Sequence, residues 1–431
     1  MLKFEEYLVD SFNVFDFSCN VDLLKQILNI IAPDFKGNLT EELFVNNELA
    51  ILGSGKELWQ QFYLKDLKTM QIVCSFRIIV KNGFKVVKCK KQSDGKVKFL
   101  LMTLVHTHPD YRKMGLLQRF ISSVMENYQN ELLSLGEEVE FSLQSLKETD
   151  FEIYWYLYSV IDQYYKKFGF QSFDMEWLVF DKVYEDGLIT LVEKDKKDKR
   201  NYNDDMELIS LLYAKHFPKT VQRLLTSEKY LSFENFEGDN NISVSFQNHS
   251  LDFFFDRDNL ICNEFNAGEP NRDRSIGLII KHSHIGKETF VLFSCDLICS
   301  GLLLSKLFTN LDSNIRVERK LITNDMDIIV SHVIKTYLKN FNFLVNHPMF
   351  DKNFSKNLKI SITKADVVAK DRETKDFIVN ELLNNIFLKN GSWKLVQSNE
   401  THFLPMMKKA DEEFGNKNTL KWINNGIWCF G

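Results

Sequence analysis

The chain has 431 residues, with 54 Lys and Arg against 59 Asp and Glu, a formal net charge of −5. That length implies roughly two or three domains, and the near-balanced charge excludes a broad basic footprint for nucleic acid. Abundant Phe (37) and scarce Pro (6) argue for packed structure over long disordered linkers. The seven cysteines, Cys19, Cys74, Cys89, Cys262, Cys295, Cys299 and Cys429, are scattered and form no Cys-x-x-Cys. Reduced thiols in an intracellular compartment suit that pattern. No apolar run approaches the ~18 residues of a membrane span. The opening MLKFEEYLVDSF carries acidic residues and matches neither a secretory signal nor a transit peptide. The expectation is a cytoplasmic protein that contacts neither membrane nor nucleic acid.

In chain order, residues 21–31 have helical spacing behind Asn20 as a cap, and 39–47 form a second helix. Residues 71–80 read as a strand, Asn82-Gly83 as a hairpin turn and 84–89 as the returning strand. Ser93-Asp94-Gly95 marks another turn, and 101–107 is apolar and β-branched enough for a buried strand. Pro109 stops that strand. Leu116, Leu117, Phe120, Ile121 and Val124 then recur with the spacing of a one-faced helix. Residues 138–146 and 153–158 read as strands, followed by a short helix at 161–168 that Gly169 ends. The charge-dense stretch EKDKKDKRNYNDD at 193–205 marks a boundary.

Beyond it, 206–225 reads as a helix, and 276–282 and 289–294 as strands joined through His284-Ile285-Gly286-Lys287. Residues 297–307 read as a helix, 315–322 as a strand, 325–340 and 377–388 as helices, and 420–430 closes the chain. No repeat of the first half is evident. The expected class is mixed α+β. A first domain over 1–190 holds a central mixed sheet, 191–205 is a charged linker, and 206–431 is an α+β domain.

The stretch around Gly115 carries the chemistry. Arg112, Lys113, Met114 and Gly115 sit where a helix begins. The first N–H groups of a helix lack internal partners and its dipole is positive there. Such an end binds anions, and Gly lets a phosphate approach the backbone. The run Arg112 to Leu117, preceded by THPDYR, resembles the acetyl-CoA motif of the GCN5-related N-acetyltransferases, Arg/Gln-x-x-Gly-x-Gly/Ala after a strand. Leu117 stands where that superfamily has Gly or Ala. The later run Tyr164-Tyr165-Lys166-Lys167-Phe168-Gly169-Phe170 resembles its second motif, Tyr-x-x-x-Gly-Phe. The two motifs occur in the expected order.

The resemblance implies an acetyltransferase-type fold for 1–190 and acetyl-CoA as cosubstrate. Thr107, Arg112, Lys113, Met114, Gly115, Leu116 and Leu117 are the implied cofactor-binding residues. It implies Tyr165 as the proton donor to the leaving thiolate. His106, beside the implied cleft, is the candidate base, because an imidazole titrates near neutral pH; His108 is its alternative, on the same face if the strand stays regular. Leu157-Tyr158-Ser159, residues 257–265 and the tryptophan-bearing end at 422–428 resemble segments of the fungal lysine N-acetyltransferase family, although Val160 and Asp162 depart from its pattern. That likeness implies free L-lysine, at its ε-nitrogen, as acceptor. An acetyltransferase acting on polypeptide amines and an acetyl-CoA-binding regulator are the other readings. His282, His284, Cys295 and Cys299 do not have a zinc-ligand spacing, and no metal is expected. Nothing in the sequence sets the oligomeric state.

Overall fold

The computed structural model describes residues 3–4, 6–37, 39–55, 58–87, 90–138, 152–161, 163–173, 175–180, 208–213, 243–246, 275–296, 301–344, 359–384, 394–397, 404–409 and 421–422. The charged linker, residues 139–146 of one expected strand, 257–265 and Trp428 lie outside them. The first part runs β1 (Lys3–Phe4), β2 (Tyr7–Asn13), α1 (Phe17–Phe35), α2 (Glu41–Gly53), β3 (Leu58–Asp66), β4 (Ile72–Val87), β5 (Lys90–Thr107) and α3 (Leu116–Glu138). It continues with β6 (Glu152–Ser159), a 3₁₀ turn at Tyr164–Phe168, β7 (Gln171–Ser172) and β8 (Glu176–Phe180). Then come β9 (Leu208–Tyr213), β10 (Ser243–Phe246), β11 (Ser275–His282), β12 (Lys287–Asp296), β13 (Gly301–Thr309) and α4 (Arg316–Leu344). The last elements are β14 (Lys359–Thr363), β15 (Val367–Val368), α5 (Arg372–Leu383), β16 (Lys394–Gln397), β17 (Leu404–Lys409) and β18 (Lys421–Trp422). The class is mixed α+β, built on two mixed sheets.

The two sheets share one plan. The first runs β2-β3-β4-β5-β6-β17-β7, with β1 at its edge, and the second runs β9-β11-β12-β13-β14-β8-β16. Position by position the senses agree: three antiparallel pairings, one parallel, then two antiparallel. A long helix follows the fourth strand of each series, α3 after β5 and α4 after β13. The expectation of no internal repeat is therefore wrong. The repeat is one of topology, seen in strand order and sense.

The sixth position of each sheet is filled from the other half of the chain. β17, near the C-terminus, lies between β6 and β7, and β8 lies between β14 and β16. A single cut near residue 190 does not separate the sheets, because 176–180 belong to the second and 404–409 to the first. Both exchanged strands are internal. Their backbone groups are paired on both sides, so removing either would leave two rows of buried N–H and C=O groups without partners.

Helix α1 buries Leu24, Ile27, Leu28 and Ile31, positions spaced i, i+3, i+4, i+7 along one face. Thr40 caps α2, its Oγ1 accepting from the Leu43 N–H at 3.2 Å. These helices cover one face of the first sheet through Ile79, Phe99, Leu101 and Tyr156, and that core continues into the second sheet through Leu178, Ile279 and Phe308. Helix α3 covers the opposite face with Leu116, Phe120, Ile121, Val124 and Tyr128, packed on Phe62, Phe76, Met102 and Trp155. Each such side chain contributes about 1.5–3 kcal/mol when fully buried.

Several expected elements differ. β4 continues through Asn82 and Gly83, because Gly83 pairs with Val97 on one side and Phe246 on the other; partners on both flanks override the turn chemistry. The same pairing carries β5 through Ser93 and Asp94. Residues 208–213 and 301–309 are strands, not helices. Both are apolar runs without a clear period, and such runs do not distinguish helix from buried strand. Residues 316–322 open α4 instead of forming a strand; Ile322, Met326, Ile329 and Val330 are buried at helical spacing. His108 lies beyond β5 and caps the turn at Pro109–Tyr111, its ring nitrogen accepting from the Asp110 N–H. Among the described residues no helix is long and apolar enough to cross a membrane.

Because each sheet is completed by the other half, both should unfold together. Scanning calorimetry should show one cooperative transition, and two resolved transitions would show that neither sheet depends on its exchanged strand.

Candidate active site

The site begins with a divergence of strands. β5 pairs in parallel with β6 only from Val97–Glu152 to Leu101–Tyr156. β5 then gains a residue against β4, as the register shifts between Ser75–His106 and Arg77–Thr103. A bulge of this kind bends and twists its strand. Leu104 sits within it at φ 51, a left-handed conformation that costs a non-glycine residue about 1–3 kcal/mol. Past the bulge, β5 continues to Thr107 with no β6 pairing, so the C-terminal ends of two parallel strands part company. Helix α3 starts beside them.

The Arg112–Gly115 turn lies at that end. Lys113 (φ 69) and Gly115 (φ 74) both take left-handed backbone, a geometry that turns successive N–H groups toward one concavity. No atom lies within 4 Å of a Cβ built on Gly115, so glycine is required there for its backbone angle and not for space. Lys113 and Met114 are exposed, while Leu116 is buried under α3. Leu117, the departure from the motif, is partly buried against the apolar cluster under α3. The Arg112 side chain braces the turn: its Nε donates to the Thr107 carbonyl at 3.0 Å and its Nη2 to Asp34 Oδ2 at 3.0 Å. The Thr107 hydroxyl lies 3.7 Å from Cys74 Sγ, and burial pushes the Cys74 thiol up to about 11.

Two groups able to move protons lie on opposite faces of the first sheet. Tyr165 is buried in the α3-side cluster with Phe168, Phe170 and Met406. Its ring meets Tyr164 edge-on at 5.2 Å and Phe170 at 6.1 Å. Burial, with a smaller contribution from Tyr164, raises its pKa well above the ordinary phenol value, so it stays a protonated donor at neutral pH. Gly169 ends the 3₁₀ turn at φ 88 and so directs Phe170 back into the core. His106 points to the other face, toward α1, where its Nδ1 lies 3.1 Å from Asp34 Oδ2. Burial lowers its pKa, opposed by the Asp34 charge, and the ring is neutral near pH 7. Its Nε2 is buried and has no hydrogen-bond partner among the described residues.

Asp34 is absent from the residues that the sequence singles out. It stands in the last turn of α1, where a carboxylate opposes the helix dipole. That mismatch was the only local sign that it serves a partner elsewhere.

The matching place in the second sheet is closed. β13 carries the same one-residue bulge, between Leu304 and Lys306. There, however, β15 pairs with Leu307 and Phe308, so the chain's own backbone occupies the side that β5 leaves open. Lys306 and Asp366 seal it with a fully buried ion pair at 3.2 Å. The turn before α4 is capped from within: Glu318 accepts from the Asp312 N–H at 2.7 Å, and Asp312 accepts from the Asn314 N–H at 2.9 Å. Carboxylates thus sit where the first turn presents cations. Among the described residues no group of three or more His, Cys, Asp or Glu is arranged to hold a metal. His282 is buried against Asp325 at 2.9 Å.

No family model matches the sequence, and no curated protein matches it. Similar solved structures include a GCN5-related N-acetyltransferase from Kribbella flavida, at TM-score 0.42 and 10% identity over 94% of this chain and 72% of that one. Saccharomyces cerevisiae N-myristoyltransferase with bound myristoyl-CoA has TM-score 0.40 and 10% identity, over 94% of this chain and 83% of that one. Eis1 from Mycobacterium abscessus has TM-score 0.40 and 10% identity, over 94% and 74%. At these values the likeness is one of outline.

The contrast between β5 and β13 makes a stoichiometric prediction. Calorimetric titration with CoA should saturate at one molecule per chain. Gly115→Val should weaken binding by up to about tenfold, as left-handed strain of ~1–2 kcal/mol predicts. Saturation at two per chain would contradict the closure of the second site.

Proposed function

We propose that the chain is an acyl-CoA-dependent N-acyltransferase, with acetyl-CoA as donor and the ε-amine of free L-lysine as acceptor. The observation that carries the reaction class is the end of the β5–β6 pairing at Leu101, which leaves the C-terminal side of β5 unpaired toward β6. It is flanked by a cationic helix-start turn, a protonated tyrosine and a neutral histidine, while its counterpart is sealed. The N–H groups at the start of α3 would hold the cofactor's phosphates, with Lys113 adding charge from an exposed position. Arg112 keeps the turn in shape through Thr107. The unpaired side of β5 past the bulge offers backbone groups to an extended amide-bearing arm. Thr107, Arg112, Lys113, Met114, Gly115, Leu116 and Leu117 remain the proposed cofactor contacts.

A lysine amine, with pKa about 10.4, is mostly protonated at neutral pH and must lose a proton to attack. His106 Nε2 takes the proton. The amine nitrogen bonds to the thioester carbonyl carbon and a tetrahedral intermediate forms. Its collapse breaks the C–S bond, the thiolate takes a proton from Tyr165, the tyrosinate takes the second proton of the attacking nitrogen, and the proton on His106 passes to solvent. The products are the amide and free CoA. Lysine as acceptor is supported by the resemblance of residues 157–159 and 422–428 to the fungal lysine acetyltransferases. A cytoplasmic setting is supported by the scattered cysteines.

The test is CoA-thiol release from acetyl-CoA across free amino acids, polyamines and polypeptides. Release that needs free lysine supports the full reading. Release only with a polypeptide moves the acceptor and keeps the chemistry, and tight binding without turnover on any amine removes the enzyme reading. Tyr165→Phe should lower kcat by on the order of 10²-fold and leave the CoA dissociation constant within about twofold. Unchanged kcat would remove Tyr165 from the reaction.

A further inference from the structure

Asp34 joins three parts of the site that are far apart in sequence. One carboxylate oxygen, Oδ2, lies 3.1 Å from His106 Nδ1 and 3.0 Å from Arg112 Nη2. The carboxylate comes from the end of α1, the imidazole from β5 past the bulge, and the guanidinium from the cofactor turn. We propose that Asp34 is a positioning residue: it holds His106 with the proton on Nδ1 and the lone pair on Nε2, so that the acceptor amine meets a base already in the required tautomer. This rests on the acyltransferase reading given above.

The chemistry of the atoms supports it. A carboxylate oxygen accepts and does not donate. A nitrogen 3.1 Å from it must therefore carry the hydrogen, which leaves the other ring nitrogen unprotonated in neutral imidazole. That other nitrogen, Nε2, is the one buried without a partner among the described residues. A buried acceptor with no donor costs about 1–3 kcal/mol, and an amine N–H entering the site supplies what it lacks. Arg112 holds the same carboxylate oxygen at 3.0 Å, and His106 cannot turn without losing it. The groups that act on the His106 charge are Asp34 from α1, Arg112 from the turn and His108 beyond β5. Asp34 favours the protonated ring, and Arg112 and His108 oppose it.

Asp34 is about half exposed, so Asp34→Asn can be made without opening the core. An amide can present its NH₂ to Nδ1 and invert the tautomer. The variant should lose kcat by on the order of 10²-fold, with KM for acetyl-CoA nearly unchanged. The acidic limb of its kcat–pH profile should move to lower pH, because the charge that holds the His106 proton is gone. Asp34→Glu should restore part of the rate. A change confined to KM would mean that Asp34 acts only through Arg112, and wild-type kcat with an unmoved acidic limb would overturn the proposal. ¹⁵N NMR of histidine-labelled protein reads the tautomer without turnover. The wild type should show His106 protonated at Nδ1, and Asp34→Asn should lose that preference. If no amine is acylated by the wild type, the acyltransferase reading fails, while the NMR comparison still decides the positioning role.

Discussion

Every internal strand must have its backbone polar groups paired on both sides, and in this chain neither sheet meets that demand alone. β17 completes the first sheet and β8 the second. The exchange ties residues 404–409 to the first sheet, where Met406 packs in the same cluster as Tyr165. It also sends β8 from the first half straight into the core of the second, through the fully buried Leu178. One apolar core therefore runs across both sheets, while a second lies between α3 and the first sheet.

Within that frame the same plan yields one open site and one closed copy. The bulge on the fourth strand of the first series recurs on β13, so the backbone geometry that bends this strand is present twice. What differs is what comes next. In the first half the chain leaves β6 for the turn that carries Tyr165. In the second it adds Val367 and Val368 to the free side of β13 and ties them down through the Lys306–Asp366 pair. A buried ion pair adds little net stability, yet breaking one by removing a partner is costly. It therefore holds β15 in one register more than it strengthens the sheet. Arg77 and Glu48, buried at 2.8 Å under α2 with Gln61 on the Arg77 Nε, do the same for the α2 face of the first sheet.

Local features were legible because their causes are local. The Arg112–Leu117 helix start, the left-handed Gly169 and the one-faced periods of α1 and α3 each depend on residues within a few positions. Asn82-Gly83 is the instructive failure. Its turn chemistry is real, but β5 and β10 on either side of Gly83 provide more hydrogen bonds than a turn would. β9 and β13 were hidden for another reason: both are short apolar runs, whose period does not distinguish a strand from a helix. Asp34 was invisible because its partners lie 72 and 78 positions away (106 − 34 and 112 − 34).

The sequence by itself determined the one-faced helix that follows the Arg112–Gly115 turn, the left-handed glycine that ends the turn after β6, and the mixed α+β class. Those follow from residue type and short-range spacing. Only the tertiary structure decided that the chain is a topological repeat, that its halves exchange a strand, that β5 past its bulge has no β6 pairing while β13 is paired with β15, and that Asp34 faces His106. Each of these is a pairing between segments distant in the chain, and such pairings are set by which backbone and carboxylate groups burial leaves in need of a partner.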